Sequence, residues 1–466
     1  MKIVIDLRMI KPFPTGVGTY LDNIAYNLFL IDDTNTYIVL HNDLVVIKRL
    51  KSKYSNLKNV SIYQVSVPPS NLLQYLKLPT VLKRLKPDLL ITDIWTCPIF
   101  YRKKYFIGIH DLLFYHYPQM ANLKISLFNK FILPILLKRS NKIFTVSEFS
   151  RKDISKIMNI DIGKIFVTYN AVDKTIFYKH KDEDIKEVKK KYNIKNDYFI
   201  YIGNIRPHKN LERLIDAFKI YKNKTNNNTE LVLVGDFDAT TGKNNTSEFL
   251  NKIKNNKYNS SIKRLGHINN KNLATLLSGA ISLIQPSLFE GFGLSPIEAM
   301  ASQTTVLSSN TSSLPEVIQN AGLFFDPLDI NDIASKIDTI YKNSKLREDL
   351  VKKGNERVNY FKWSKSAKIL LTNINKGYNI GVVGTGTNYQ KPAQSIARTE
   401  SQWSLNQGRI TQFKENKFEK MDLLPALDAC EECISYAEQN PYNVDDDVLP
   451  IHPNCRCVWV VENNFT

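Results

Sequence analysis

Pro286-Ser-Leu-Phe-Glu290-Gly-Phe-Gly293-Leu-Ser-Pro-Ile-Glu298-Ala-Met300 sets two glutamates eight residues apart, with Gly-Phe-Gly and then Ser-Pro between them. The apolar run 280–286 just before it reads as a short buried strand. Proline is tolerated where a helix opens, because its missing N–H would have no partner there. Ser295-Pro296 is therefore read as helix cap and first helical position. Glu290 then falls in the loop and Glu298 in the first helical turns. Strand, glycine turn and helix N-terminus in this order suit an anionic polyol: backbone N–H groups face the negative group while a carboxylate accepts hydrogen bonds from sugar hydroxyls.

Outward from this unit, apolar runs at 3–6, 36–40, 60–63, 88–91, 105–109, 198–202 and 231–235 read as strands, several with helical stretches between them. Such alternation predicts α/β domains with mostly parallel sheets, which place ligands beyond the carboxyl ends of their strands. Four features fall at such ends. His110-Asp111 follows the strand at 105–109, and Gly203-Asn-Ile-Arg206-Pro-His208-Lys209-Asn210 follows that at 198–202. A strand-end glycine followed by basic side chains at a helix start suits a diphosphate. Thr15-Gly16-Val17-Gly18-Thr19 follows the first strand as a loop, with a helix expected over 20–30. A nicotinamide-binding turn would carry a third glycine and a shorter polar stretch. His116 is read as a packing or loop residue. The fourth feature is the glutamate pair itself.

The segment 123–142 mixes apolar residues with Lys124, Lys130, Lys138, Arg139 and Lys142. It is read as a core helix kinked at Pro134, with a membrane-facing amphipathic helix as the alternative.

With these motifs in place, residues 1–376 resemble the retaining glycosyltransferases of family 4, which carry two glutamates at this spacing on the donor side of their cleft. The resemblance implies the GT-B architecture, an α/β fold of two Rossmann-like domains facing a cleft. Residues 1–172 would form the N-terminal acceptor domain. Residues 173–376 would form the nucleotide-sugar domain with a return helix over 355–378, the crossing lying near Asn170-Ala-Val-Asp173. It implies a hexosyltransferase acting with retention, with His110 and Glu290 as catalytic residues. Gly16, Gly18, Arg206, Lys209, Phe292, Gly293, Leu294 and Glu298 would bind the donor, with no cofactor for catalysis. The run from Ile5 to Pro327 looks most like mannosyltransferases of surface-polysaccharide pathways. GDP-mannose is then the first expected donor, a UDP-sugar the second, and a glycan or lipid-linked molecule the acceptor. The chain departs from the family at Asn204 and His208, where arginine is common, and at Gln303 and Thr305, where glycine and proline are usual. The resemblance puts the loop at 302–305 near ribose and phosphate.

Composition sets the outer bounds. A chain of 466 residues with 43% hydrophobic residues is too long for one core and suggests two or three domains. Residues 1–376 hold 56 Lys/Arg against 33 Asp/Glu, whereas residues 377–466 hold 7 against 12. With no apolar run long enough to span a bilayer and no signal-peptide pattern, a cytoplasmic location is expected, with peripheral contact to an anionic membrane surface as its companion. Nucleic acid is not an expected partner.

Four of the five cysteines lie in the acidic tail: Cys430-x-x-Cys433 and Cys455-Arg-Cys457, with His452 nearby. Such a set suits a structural zinc, with His452 as alternative ligand, or else a disulfide pair or free thiols. Residues 377–392 read as a linker. Residues 393–461 resemble the C-terminal part of phage Mu F-like minor head (head morphogenesis) proteins, making 393–466 a small α+β Cys-rich module of separate origin. Two other functions stay open at this point: a catalytically silent sugar-nucleotide-binding protein, or a phage head assembly component acting through its tail.

Overall fold

The computed structural model describes residues 1–13, 15–69, 73–235 and 257–379, together with three short strands in the tail. The chain divides into two units, Met1–Gly381 and Val382–Thr466. The first unit contains two all-parallel sheets. One runs β3-β2-β1-β4-β5-β6-β7, from β1 (Lys2–Asp6), β2 (Thr36–His41), β3 (Val60–Gln64), β4 (Leu89–Asp93), β5 (Tyr105–Gly108), β6 (Lys142–Thr145) and β7 (Ile165–Val167). The other runs β10-β9-β8-β11-β12-β13, from β8 (Tyr198–Ile202), β9 (Glu230–Val234), β10 (Ile262–Arg264), β11 (Ser282–Gln285), β12 (Thr305–Ser309) and β13 (Leu323–Phe325).

Parallel strands joined by helices are covered on both faces, so their sequences run apolar throughout. β4 and β9 are buried at every position. Alternate residues feed opposite cores: Ile3 and Ile5 of β1 enter one apolar cluster and Val4 the other. The second sheet is likewise sandwiched, with Phe199 and Tyr201 on one side and Tyr198 and Ile200 on the other. These paired three-layer bodies are the two Rossmann-like domains expected from the sequence.

Helix starts are where the structure departs most from expectation. The first helix spans Gly16–Ile31, so Gly16 and Gly18 form its opening turn rather than a loop. Thr15 caps it by accepting from the Gly18 N–H at 3.1 Å, and a β-carbon on residue 18 would lie 2.8 Å from the Thr15 hydroxyl. A side chain at residue 18 would require that hydroxyl to shift. The helix after the glutamate turn spans Leu294–Ala301 and is capped by Gly293, whose φ of 94° favours glycine. Ser295 and Pro296 therefore sit inside the first turn, where no N–H needs an intrahelical acceptor. At the far end, Asn355 belongs to the helix Ser344–Val358, and the return helix is Trp363–Asn379, packed on Gly16–Ile31. The basic segment is one helical stretch of Leu123–Leu127, a π-helical turn at Phe128–Ile132 and Leu133–Arg139, with Pro134 in the opening turn of its last part. No described helix is long and apolar enough to cross a membrane.

In the second unit, β14 (Lys420–Leu424) pairs antiparallel with β15 (Tyr442–Asn443) and β16 (Val458–Val461). Cys430, Cys433, His452, Cys455 and Cys457 lie outside the described residues, as do the 380–392 part of the expected linker and the expected surface loop at 236–246.

Candidate active site

The carboxyl edges of the two sheets meet. His110-Asp111 leaves β5, and Glu290-Gly291 lies in the turn after β11. A β-carbon on Gly291 would come within 2.9 Å of both the Asp111 carboxylate and the His110 carbonyl. Ser147, just beyond β6, donates its hydroxyl to the Gly291 carbonyl at 2.7 Å. The first glycine of Gly-Phe-Gly is thus dictated by the close approach of two domains. Glu316 bridges the same gap: its two oxygens accept the N–H groups of Glu148 and Phe149 at 2.8 Å each, at the start of the helix Glu148–Met158. The Tyr169 hydroxyl donates to it as well, at 2.9 Å.

Glu290 and Lys209, named from separate motifs, form one ion pair at 2.6 Å. Glu290 Oε1 also accepts from Gln285 Nε2 and the Ser287 hydroxyl, both at 2.7 Å. Burial opposes ionisation of Glu290. Lys209, by charge and by hydrogen bond, together with Ser287 outweighs it and holds the carboxyl below its usual range. The turn is laced from behind, where Ser312 accepts the Glu290 N–H at 3.0 Å and Ser313 reaches the carbonyls of Glu290 and Phe292. His208 beside Lys209 is buried, and burial plus the Lys209 charge push its imidazole down to about 4, so it is neutral near neutral pH. Arg206 is exposed at the same loop.

Across the junction, His110 Nε2 stands 3.5 Å from Asp93 Oδ2, at the limit of a hydrogen bond. Neither atom has another partner among the described residues, and both are buried. Asp93 ends β4 beside Gly108 of β5, and its other oxygen accepts the Trp95 N–H at 3.0 Å. Tyr20 packs edge-on against the imidazole, centroids 4.9 Å apart. A cavity of about 110 Å³ opens here, lined by His110, Asp93, Asp111 and Val17 and by Asn129 and Leu133 of the 123–139 helical stretch. Burial holds the Asp111 carboxyl above its usual range. His116 pairs with Asp153 at 2.8 Å and lies against the Phe289 ring, a packing role.

The other expected donor residues are placed less uniformly. Gly16 lies within reach of the Leu294 side chain across the junction, so these two and Gly293 share one neighbourhood. The Phe292 side chain is turned into the apolar cluster with Tyr169 and Phe361, leaving only its backbone to face a donor. Glu298, partly buried on Leu294–Ala301, has no ion-pair partner among the described residues, and burial pushes its carboxyl up to about 7.

The loop holding Gln303 does not belong to this site. Thr305 pairs with Ser282 at the start of β11, while Glu290 lies beyond Gln285 at the other end of that strand. Four strand residues, roughly 13 Å, separate the two edges. Gln303 has φ of 57°, a left-handed turn after a helix, which is why glycine is usual at this position. Sequence reasoning missed Asp93, Gln285 and Ser287, and marked Asp111 beside His110 without giving it a role. Asp93 carries the same strand-end signal that marked His110.

Residues 43–175 match the model Glycosyltransferase Family 4, and residues 182–357 match Glycosyl transferases group 1. O-antigen chain mannosyltransferase RfbU of Salmonella typhimurium is 30% identical over 267 residues, 57% of this chain and 68% of its own length. O-antigen chain mannosyltransferase B of Escherichia coli is 29% identical over 49% of this chain and 58% of its own. Among solved structures, a glycosyltransferase from Rickettsia africae aligns over 82% of this chain and 99% of its own with a TM-score of 0.62. Anabaena HepE in complex with UDP-glucose aligns over 81% and 100% with 0.64. Both are 17% identical to this chain, and the likeness speaks for the fold. Two family models side by side on the two sheet domains, and a relative matched along two thirds of itself, have one reading: the chain belongs to the family 4, group 1 glycosyltransferases.

Proposed function

We propose that the protein transfers a hexose, mannose in the first instance, from a nucleotide diphosphate sugar to a hydroxyl of a glycan or lipid-linked acceptor in surface polysaccharide synthesis, with anomeric configuration retained. The observation that carries this reading is the Lys209–Glu290 pair set against His110 and Asp93 where the two sheets meet. Three donors crowd Glu290 Oε1, and none of the described hydrogen bonds reaches Oε2. Oε2 can accept from a sugar hydroxyl while the pair stays intact. An ammonium has three protons, so Lys209 can hold Glu290 and still donate to phosphate oxygens. As the diphosphate leaves, its growing charge meets Lys209 and backbone N–H groups already in place, which is why no metal is assigned to catalysis. Glu298 takes the ribose hydroxyls. His110, oriented by Asp93, directs the sugar or the acceptor at the anomeric carbon.

The mannosyltransferase names of the relatives support mannose, and GDP-mannose is the first donor to test. UDP-glucose in Anabaena HepE keeps UDP-sugars second. A donor panel read by released nucleotide decides between them, with Glu290→Gln as control. Loss of about a hundredfold or more in turnover is expected for that variant, and turnover independent of Glu290 with every donor would sink the reading. Proton NMR of the first-formed glycoside reads retention. Asp93→Asn is expected to lower kcat about tenfold with donor KM little changed, the mark of a positioning residue.

For the tail, we propose a separate module in which Cys430, Cys433, Cys455 and Cys457 hold a structural zinc, with His452 as the alternative ligand and the phage head-protein resemblance as its origin. Its acidic charge and its concentration of cysteines support this. Metal analysis of the intact chain against Cys430→Ser/Cys433→Ser tests it: equal zinc in both removes the proposal.

A further inference from the structure

Pro134 decides how the helical stretch over 123–139 is built. Just ahead of it the Leu133 N–H reaches back five residues to the Phe128 carbonyl, and residue 134 has no N–H to give, so the Asn129 carbonyl is left without a backbone donor. Tyr115 supplies one through its hydroxyl. The π-helical turn at Phe128–Ile132 buries Phe128 and Asn129 side by side. Asn129 is 8% exposed and lines the cavity at His110, yet none of the described hydrogen bonds uses its side-chain amide. A buried amide without a partner costs stability, and π-helical turns recur at functional sites. The position points to a ligand that brings the missing partner.

The rest of the wall says which ligand. Asp93 Oδ1 fixes the turn into Trp95 by accepting its N–H, and Phe128 stacks on the Trp95 ring with centroids 5.2 Å apart, so the indole is held between a strand end and the helical stretch. Trp95, Phe114 and Tyr115 make one part of the lining aromatic, while Asp93, Asp111 and Asn129 make another polar. That division suits a sugar ring, which sets C–H groups against aromatic side chains and hydroxyls against carboxylates and an amide. No Lys or Arg lines the cavity among the described residues. Lys124, Lys130 and Lys138 of the same stretch are exposed, Arg139 is spent on the carbonyls of Ile99 and Tyr101, and Lys209 is paired with Glu290. A phosphate entering here would meet two carboxylates with no counter-charge on the wall. At about 110 Å³ the cavity is smaller than the roughly 150 Å³ that holds a benzene, which leaves room for one edge of one ring.

We propose that this cavity receives the reacting end of the acceptor as an uncharged sugar ring, edge first, and that Asn129 is a specificity-determining residue that pairs with one of its hydroxyls. The inference rests on the transferase reading and narrows its acceptor to a sugar whose entering edge carries hydroxyls alone, in place of a phosphorylated sugar or a lipid phosphate. His110 lines the same cavity, so a ring seated against Asn129 and Trp95 brings its hydroxyls to the side chain assigned to the reacting centre. Asn129 acts on binding of the acceptor, and its effect belongs in acceptor KM.

The test takes the full chain with a nucleotide sugar that gives Glu290-dependent nucleotide release. Methyl pyranosides of mannose, glucose, galactose and N-acetylglucosamine are then compared with mannose 6-phosphate, glucose 6-phosphate and methyl glucuronide as acceptors. At least one neutral pyranoside is expected to raise release above the rate in water alone, with kcat/KM at least about tenfold above that of every anionic sugar. Asn129→Leu should raise the KM for that pyranoside at least about tenfold while donor KM stays within about twofold of wild type. Because the amide it removes has no protein partner, the same variant should melt at or above the wild-type Tm. Trp95→Leu, which removes the stacking wall, should raise the same acceptor KM by itself. Anionic sugars used as well as the neutral ones overturn the uncharged class. A lowered Tm for Asn129→Leu with acceptor KM unmoved makes the residue structural and overturns its role, and an acceptor KM unmoved in both variants overturns the cavity as the acceptor seat. Glu290-dependent release that no pyranoside raises removes the inference and leaves the transferase reading standing, whereas release independent of Glu290 with every donor removes both.

Discussion

Two carboxylate–cation pairs stand at strand ends of the two sheets, and they are built for different ends. At β1, Arg8 and Asp6 are fully buried and paired at 2.7 Å. The guanidinium is also spent on the carbonyls of Val67 and Thr96 and on Gln74. At β11, Lys209 and Glu290 keep 22% and 13% of their side-chain surface open, and the ammonium is committed to a single carboxylate oxygen. In the first pair every guanidinium nitrogen is already bonded to protein and nothing is open to solvent. The second has spare donors and a spare acceptor, the condition for meeting a ligand without breaking apart. Sheet-end position alone therefore does not make a site; unspent hydrogen-bonding capacity does.

The sharpest way to break this comparison is to remove one cation from each pair. Arg8→Met strands the Asp6 carboxylate in a buried setting and is expected to cost about 3–5 kcal/mol in chemical denaturation, most of it recovered in Arg8→Met/Asp6→Leu. Lys209→Ala should lower turnover about 10²–10³-fold while costing less stability than Arg8→Met, because Glu290 keeps the Gln285 and Ser287 donors and some exposure. If Lys209→Ala unfolds as readily as Arg8→Met, the distinction fails.

Glu298 extends the contrast to pH. Its folded-state carboxyl titrates at about 7 against an ordinary 4.5, raised by burial. In its proposed role the ionised form accepts from ribose hydroxyls through both oxygens and more strongly than the neutral acid, so donor KM should fall about tenfold as pH rises through about 7, and Glu298→Gln should flatten that profile. The stability sign is opposite. A carboxyl raised on folding costs nothing below about 4.5 and disfavours the fold increasingly up to about 7, so Glu298→Gln should gain thermal stability over wild type only on the alkaline side. The smallest effect is expected at Gln303→Gly, which relieves a left-handed backbone and should stabilise by about 1 kcal/mol with activity unchanged. A change in turnover there would bring that loop back to the site.

Much of this was legible in the chain. His110, Lys209 and Glu290 stand out because each follows a readable buried strand, and open parallel sheets put chemistry at that edge. Asp93 follows the same rule but lacks a motif around it, so its partnership with His110 emerges only when β4 and β5 lie side by side. Gly18 and Gly291 read as backbone opened towards a ligand. The structure adds a threonine cap three residues away for Gly18 and a neighbouring domain for Gly291, and only the second is concealed by sequence distance. The resemblance set Gln303 near ribose and phosphate, whereas a helix and the start of the next strand carry the chain to the opposite edge of the sheet.

Glu316 closes the first two N–H groups of the helix Glu148–Met158 from the other domain. Separating the domains therefore strips these two N–H groups of their acceptor and leaves the helix start to the Ser147 cap alone. By thermodynamic reciprocity, whatever favours the separated arrangement must loosen that helix start, and whatever frays the helix must favour separation. Release of a spent nucleotide and hydrogen exchange at Glu148 and Phe149 become two readings of one equilibrium.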